Sequence, residues 1–293
     1  TLGKSHDSWE GLMNILSQHD KTRKLAKILD VYPAKIARIK GQIEAVNKFR
    51  EMAMEALGVK NERQFLKKLE ADSKIVEVGE YVDQDGNGVK LQVSRAEARK
   101  LAMEMRDPTL RESLRQGNKY TFREDVFNPM DKSTEQLLDE FLTPEDKRFI
   151  DAQLDFYRWY YKRANSYYRD RYGVDMPYNE NYSPVRREVD MDKDGDNWLK
   201  EATYRISIQP TSFKSRTATK TPLALRSDIL VMEEHIATTE HFIAFDNLVR
   251  DMDTIFKNND IRKKITEKFG PDILKLVDQH IADIKRDGIE RVR

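Results

Sequence analysis

From Trp9 the apolar residues Leu12, Met13 and Leu16 recur at helical spacing, and "KTRKLAKIL" carries the pattern to Pro33, which interrupts it. Ile36, Ile39, Ile43, Val46, Phe49 and Met52 then repeat every three or four residues up to Leu57-Gly58. That spacing predicts a helix of about six turns with a narrow apolar stripe, buried against other helices of this chain or of a partner. "NERQFLKKLEA" predicts a short third helix. In "KIVEVGEYVDQDGNGVKLQV" the period shifts toward two, which predicts two strands joined by a Gly-rich turn.

Start signals place the next helices. Ser94-Arg95-Ala96-Glu97 has the pattern of a capping box, so a helix should begin as the second strand ends and run to Asp107-Pro108. Ser133 and Gln136 open another. Thr143-Pro144-Glu145-Asp146 supplies an N-cap, a proline at the first helical position and acids in the first turn, and introduces a long aromatic helix ending near Tyr172-Gly173. Residues 174–226 are broken by Pro177, Pro184, Pro210 and Pro222 and read as an irregular segment; helices resume from Ser227, with a last one from Pro271. The expected fold is mainly α, a multi-helix elongated bundle with one small β-hairpin and a central irregular segment. Four regions follow: N-terminal helices over 1–73, hairpin and long aromatic helix over 74–173, extended and irregular chain over 174–226, and C-terminal helices over 227–293.

Composition narrows the functions. Lys and Arg number 52 against 51 Asp and Glu in 293 residues, so no global field draws the chain to nucleic acid or to an acidic membrane surface. Cysteine is absent, which rules out a disulfide framework, a thiolate metal site and a cysteine nucleophile. No apolar run approaches the roughly 18 residues that span a bilayer. The first residue is Thr, and the chain reads as a fragment of something longer.

Three stretches carry candidate chemistry. "DMDKDGDNWLKE", Asp190 to Glu201, has the ligand spacing of a twelve-residue calcium loop, with Gly195 at its turn position. The candidate ligands are Asp190, Asp192, Asp194, Asp196 and Glu201. The preceding "PYNENYSPVRREV" carries two prolines and reads as extended, so the loop lacks an incoming helix, and its affinity for calcium is expected to be weak, roughly 0.1–1 mM. No other cofactor is implied. The similar stretch Asp83 to Ser94 is flanked by strands and reads as a hairpin turn. His235 and His241 match neither H-E-x-x-H nor E-x-x-H, and read as packed or surface histidines. Between Ala202 and Ser227 there is no acid, while Arg205, Lys214, Arg216, Lys220 and Arg226 supply positive charge, a pattern open to phosphate contact or to neutralising the acidic loop. No nucleophile elbow, Walker loop or dinucleotide fingerprint is present, so catalysis has no motif.

The order of parts resembles a known family. The hairpin running into "LQVSRAEARKLAMEMRDPTLRESLRQG", the helix ending "RYGVDM", the extended "NENYSPVRR", then "SFKSRTATKTPLALRSDILVMEEHIATTEHFIAFDNL" and "NNDIRKKITEKFGPDILKLV" together are similar to a helical region of the large polyvalent proteins of tailed bacteriophages and prophages. The resemblance covers roughly residues 75 to 285. It rests on Asn181-Tyr182-Ser183-Pro184 followed by Arg186 and Arg187, on Arg216 and on Phe269-Gly270. It implies a connecting or structural module beside enzymatic domains, in a protein that is virion-internal, cargo or ejected, with other domains of a longer polypeptide or other phage proteins as partners. The implied location is the virion interior or the bacterial host cytoplasm, and the family offers no catalytic residues to carry over. Two other readings remain open: a nucleic-acid-binding module using residues 205–226, and an enzyme without a recognisable motif.

Overall fold

A computed structural model describes residues 31–185, 218 and 220–290. It is mainly helical, and among the described residues the sheet is one two-stranded antiparallel hairpin. The chain divides into two compact units, each assembled from separated stretches. One comprises Thr1–Ile43, Asp196–Pro210 and Ala237–Arg293, the other Glu44–Gly195 and Thr211–Ile236.

In the larger unit the predicted start signals become caps. Helix α1 spans Tyr32–Ala56, and its residues from Glu44 onward belong here; α2 follows over Glu62–Asp72, with Asn61 as N-cap accepting from the Gln64 amide. Strands β1 (Ile75–Val82) and β2 (Gly88–Ser94) pair in the register Ile75↔Ser94 to Val82↔Gly88, with an irregularity between Glu77 and Gly79. The turn is held by Asp83, whose carboxylate accepts from the amides of Asp85 and Asn87 at 2.9 Å. Asp83 to Ser94 is therefore a hairpin turn and second strand, as its flanks implied. Ser94 ends β2 and caps α3 (Arg95–Met105) through a reciprocal box with Glu97, so the sheet feeds into the helix without a linker. A short α4 (Pro108–Ser113) and a π-turn over Leu114–Asn118 lead to α5 (Thr134–Phe141) and the long α6 (Pro144–Tyr172). Helix α6 ends on Gly173 at φ 72°, a left-handed position that favours glycine.

Two apolar clusters fill this unit. One lies between the hairpin and α3–α5, built from residues such as Leu91, Val93, Leu101, Met103, Phe122 and Leu138. The other packs Ala45, Phe49, Ala53 and Leu57 of α1 against Phe149, Phe156, Tyr157 and Tyr160 of α6 and Met232 and Ile236 of α7, which spans Asp228–Phe256. Residues 222–225 are drawn in by the Asn118 side chain, which bonds both the amide and the carbonyl of Leu223 at 2.8 and 3.0 Å. That approach requires Gly117: a Cβ there would meet the Pro222 backbone at 3.0 Å.

The smaller unit takes α7 from Ala237 onward together with α8 (Asn259–Phe269) and α9 (Pro271–Glu290). Phe245, Val249, Met252 and Phe256 pack on Ile265, Ile273, Val277, Ile281 and Ile284. The first part of α1 contributes Val31 and Ala34 to this core, and buries Arg38 beside His241.

Within this chain the predicted stripe on α1 is buried only in part. Ile36, Ile39, Ile43 and Val46 are 36 to 55% exposed, whereas the buried face runs through Gly41, Ala45, Phe49, Ala53 and Leu57, one residue every fourth position. The small residues at 45 and 53 decide the orientation, because they let the aromatic face of α6 approach the α1 backbone closely. Phe49 alone of the large stripe residues is fully inward, and Met52 is half-buried. Accordingly, Phe49→Ala should lower unfolding free energy by about 3–5 kcal/mol, while Ile43→Asp should change it by less than about 1 kcal/mol. Urea denaturation of the two variants checks this, and the reverse ranking would restore the stripe as a core face.

Candidate functional site

The densest polar assembly among the described residues lies inside the larger unit, around Arg99. Helix α3 reads as amphipathic with its charges outward, yet the Arg99 side chain is wholly buried. Its Nε donates to Asp228 Oδ2 at 2.7 Å, and Nη2 to Asp228 Oδ1 at 3.4 Å. Nη1 donates to Asp72 Oδ2 at 2.6 Å and to Asp146 Oδ1 at 3.3 Å. Gln153 adds a bond to Asp228 at 2.6 Å, and the Phe149 ring lies 4.8 Å from the guanidinium carbon. Asp146 also receives Arg95 at 2.5 Å, whose guanidinium covers the Phe141 ring.

Four helices thus converge on one guanidinium: the end of α2, the middle of α3 and the first turns of α6 and α7. The positions have a cause. Asp146 is the third residue of α6 and closes a capping box with Thr143, so one carboxylate serves the helix start and Arg99 together. Asp228 opens α7 and accepts its neighbour's amide at 2.9 Å. The partial positive charge of two helix N-termini offsets the surplus of three carboxylates over Arg95 and Arg99. Burial pushes the Arg99 guanidinium down, but Asp228 and then Asp72 reverse this and hold it above its ordinary value. Burial likewise raises the Asp146 carboxyl, and the bonds from Thr143 and Arg95 outweigh it, holding it below the usual carboxylate value.

Next to this hub, Lys100 is buried and donates from Nζ to Ser183 Oγ at 2.5 Å, with Glu104 as counter-ion at 2.9 Å. A serine beside a lysine can act as nucleophile and base in acyl transfer. Here Ser183 is fully buried and Lys100 is paired with the Glu104 carboxylate. The pair instead fastens the extended segment to α3, together with Asn179 on Asp107 at 2.6 Å and Asn181 on the Arg106 carbonyl at 3.2 Å. In this way the structure gives Asn181-Tyr182-Ser183-Pro184 a physical role. Ser183, Asn181 and Asn179 bond three successive points along α3 and its exit, at Lys100, the Arg106 carbonyl and Asp107.

The histidines sit among aromatics. His235 lies 5.5 to 5.8 Å from the rings of Tyr157, Tyr160 and Tyr182, and His241 stacks on Phe245 at 4.6 Å with Arg38 Nη1 at 3.3 Å from its Nδ1. Among the described residues no group of three or more His, Asp or Glu side chains has metal-binding geometry. The calcium-loop candidates Asp190, Asp192, Asp194, Asp196 and Glu201 lie outside the described residues, as do Arg205, Lys214 and Arg216. Lys220 is exposed, and Arg226 is held by Glu234 through two bonds of 2.5 and 2.7 Å, so its charge is already matched within the chain. No helix among the described residues is long and apolar enough to cross a membrane. No family model, curated protein or solved structure matches the chain.

The Arg99 hub was not visible in the sequence. Only Asp146 carried a signal, as the capping residue of α6; Asp72, Arg99 and Asp228 are separated by 27 and 129 positions and look like ordinary helix-surface charges. A carboxyl held below its ordinary value contributes stability that is present above the unfolded value of about 3.9 and lost as pH falls through the folded one. Asp146→Asn should therefore be less stable than the parent by about 3 kcal/mol at pH 7. The gap should stay constant down to about pH 4 and shrink below it. Urea titrations from pH 7 to pH 3 measure the difference; a gap that widens in acid would contradict the assignment.

Proposed function

We propose that the chain is a structural or connecting helical module of a large bacteriophage protein, carried inside the virion as an internal, cargo or ejected component and without chemistry of its own. The observation that carries this reading is the Arg99 hub. A guanidinium that takes carboxylates from three other helices in a dry interior has no free valence for a substrate; it fixes how helices meet. The neighbouring Lys100–Ser183 pair is likewise used for fastening. The phage setting is supported by the order of segments from the hairpin to Phe269-Gly270.

A connecting module of this kind works by holding its shape. Within the basic segment, Arg226 is engaged by Glu234, which takes one of the segment's five charges away from nucleic-acid contact. Mass spectrometry of density-purified particles should find peptides of this chain at constant stoichiometry to the capsid protein. Their absence from particles, together with submicromolar DNA binding in 0.2 M salt, would replace the structural reading with the nucleic-acid one.

A further inference from the structure

Asn87-Gly88 is the only Asn-Gly pair in the chain, and both residues are exposed where the hairpin turn passes into β2. The Asp83 amide donates to the Asn87 carbonyl at 2.9 Å, which makes 83 and 87 a hydrogen-bonded pair of the ladder. The next pair, Val82 and Gly88, is then of the non-bonded kind, so the Gly88 amide points away from β1. Glycine leaves its nitrogen unshielded and free to turn toward the side chain that precedes it. Asp85-Gly86 is chemically similar but differs in one respect: the Gly86 amide is engaged, donating to the Asp83 carbonyl at 3.1 Å.

We propose that Asn87 is a self-modification site, at which the chain deamidates and thereby loosens its own hairpin. The Gly88 nitrogen attacks the side-chain carbonyl carbon of Asn87 and releases its proton to solvent. The bond from that carbon to the amide nitrogen breaks, ammonia leaves, and a succinimide ring remains. Water opens the ring at either carbonyl, giving aspartate through one and isoaspartate through the other. Aspartate sets a new carboxylate against Asp83, whose two oxygens each lie 3.4 Å from Nδ2 of Asn87, so an attraction becomes a repulsion between like charges. Isoaspartate lengthens the backbone by a methylene and pushes β2 out of the register Val82↔Gly88. The effect reaches beyond the turn. The Gln84 side chain bonds the Arg115 carbonyl at 2.9 Å and Lys119 pairs with Asp85, fastening the hairpin to the π-turn over Leu114–Asn118.

The full chain is held in neutral buffer, sampled over days and digested, and every asparagine-containing peptide is read by mass spectrometry, with isoaspartate identified by electron-transfer fragmentation. Asn87 is expected to convert several times faster than any other asparagine, with isoaspartate in excess of aspartate. Gly88→Ala, whose new Cβ meets only side-chain atoms of Glu80, should slow the conversion several-fold. Hydrogen exchange at the amides of β1 and β2 should be several-fold faster in aged protein than in fresh, and Asn87→Asp should reproduce the part that charge alone causes. Conversion of Asn87 no faster than that of the other asparagines would overturn the site. Full conversion with unchanged exchange across the hairpin would overturn its effect.

Discussion

One buried cation determines how the larger unit is put together. Arg99 cannot be placed in a dry interior without compensation, because the transfer of an unpaired charge costs several kcal/mol or more. Its three carboxylate partners come from three different helices, so the cost is met only when α2, α6 and α7 all stand at the correct distance from α3. Apolar packing alone tolerates small slides of one helix over another. Hydrogen bonds of 2.6 and 2.7 Å do not, and the hub therefore selects one arrangement among the many that would bury a similar area.

The rest of the unit follows from that arrangement. With the first turn of α6 fixed at Asp146, its aromatic face meets the small-residue side of α1, where Ala45 and Ala53 admit Phe149, Phe156 and Tyr160. With α3 fixed, its far end presents Lys100, Glu104, Arg106 and Asp107 as anchoring points for the extended segment around Ser183. The hairpin is joined to α3 through the Ser94 cap and rests on α5 through Gly79, where a Cβ would come within 2.7 Å of Leu137. Such a unit is built for fixed geometry.

Local chemistry was legible in the sequence and long-range pairing was not. Ser94 with Glu97, Ser133 with Gln136 and Thr143 with Asp146 announced three helix starts, because a cap depends on residues three positions apart. The hairpin was equally local. The α1 stripe misled because periodicity weights large apolar residues, while the interface with α6 is set by Ala45 and Ala53, which such a count treats as neutral. Arg99 escaped notice because a single charge on an amphipathic helix is ordinarily solvated, and its partners are up to 129 positions away. The acidic loop, the most conspicuous motif in the sequence, lies outside the described residues, and the most organised chemistry arose where no motif pointed.

A double-mutant cycle between Arg99 and Asp228 tests the central claim most directly. Arg99→Met, Asp228→Asn and the double variant are compared with the parent by urea denaturation of the full chain. If the hub holds the helices in place, each single variant loses about 3–5 kcal/mol, and the double variant loses distinctly less than their sum, with a coupling of at least about 1 kcal/mol. Strict additivity, with losses near the roughly 0.5 kcal/mol of ordinary surface substitutions, would contradict the account.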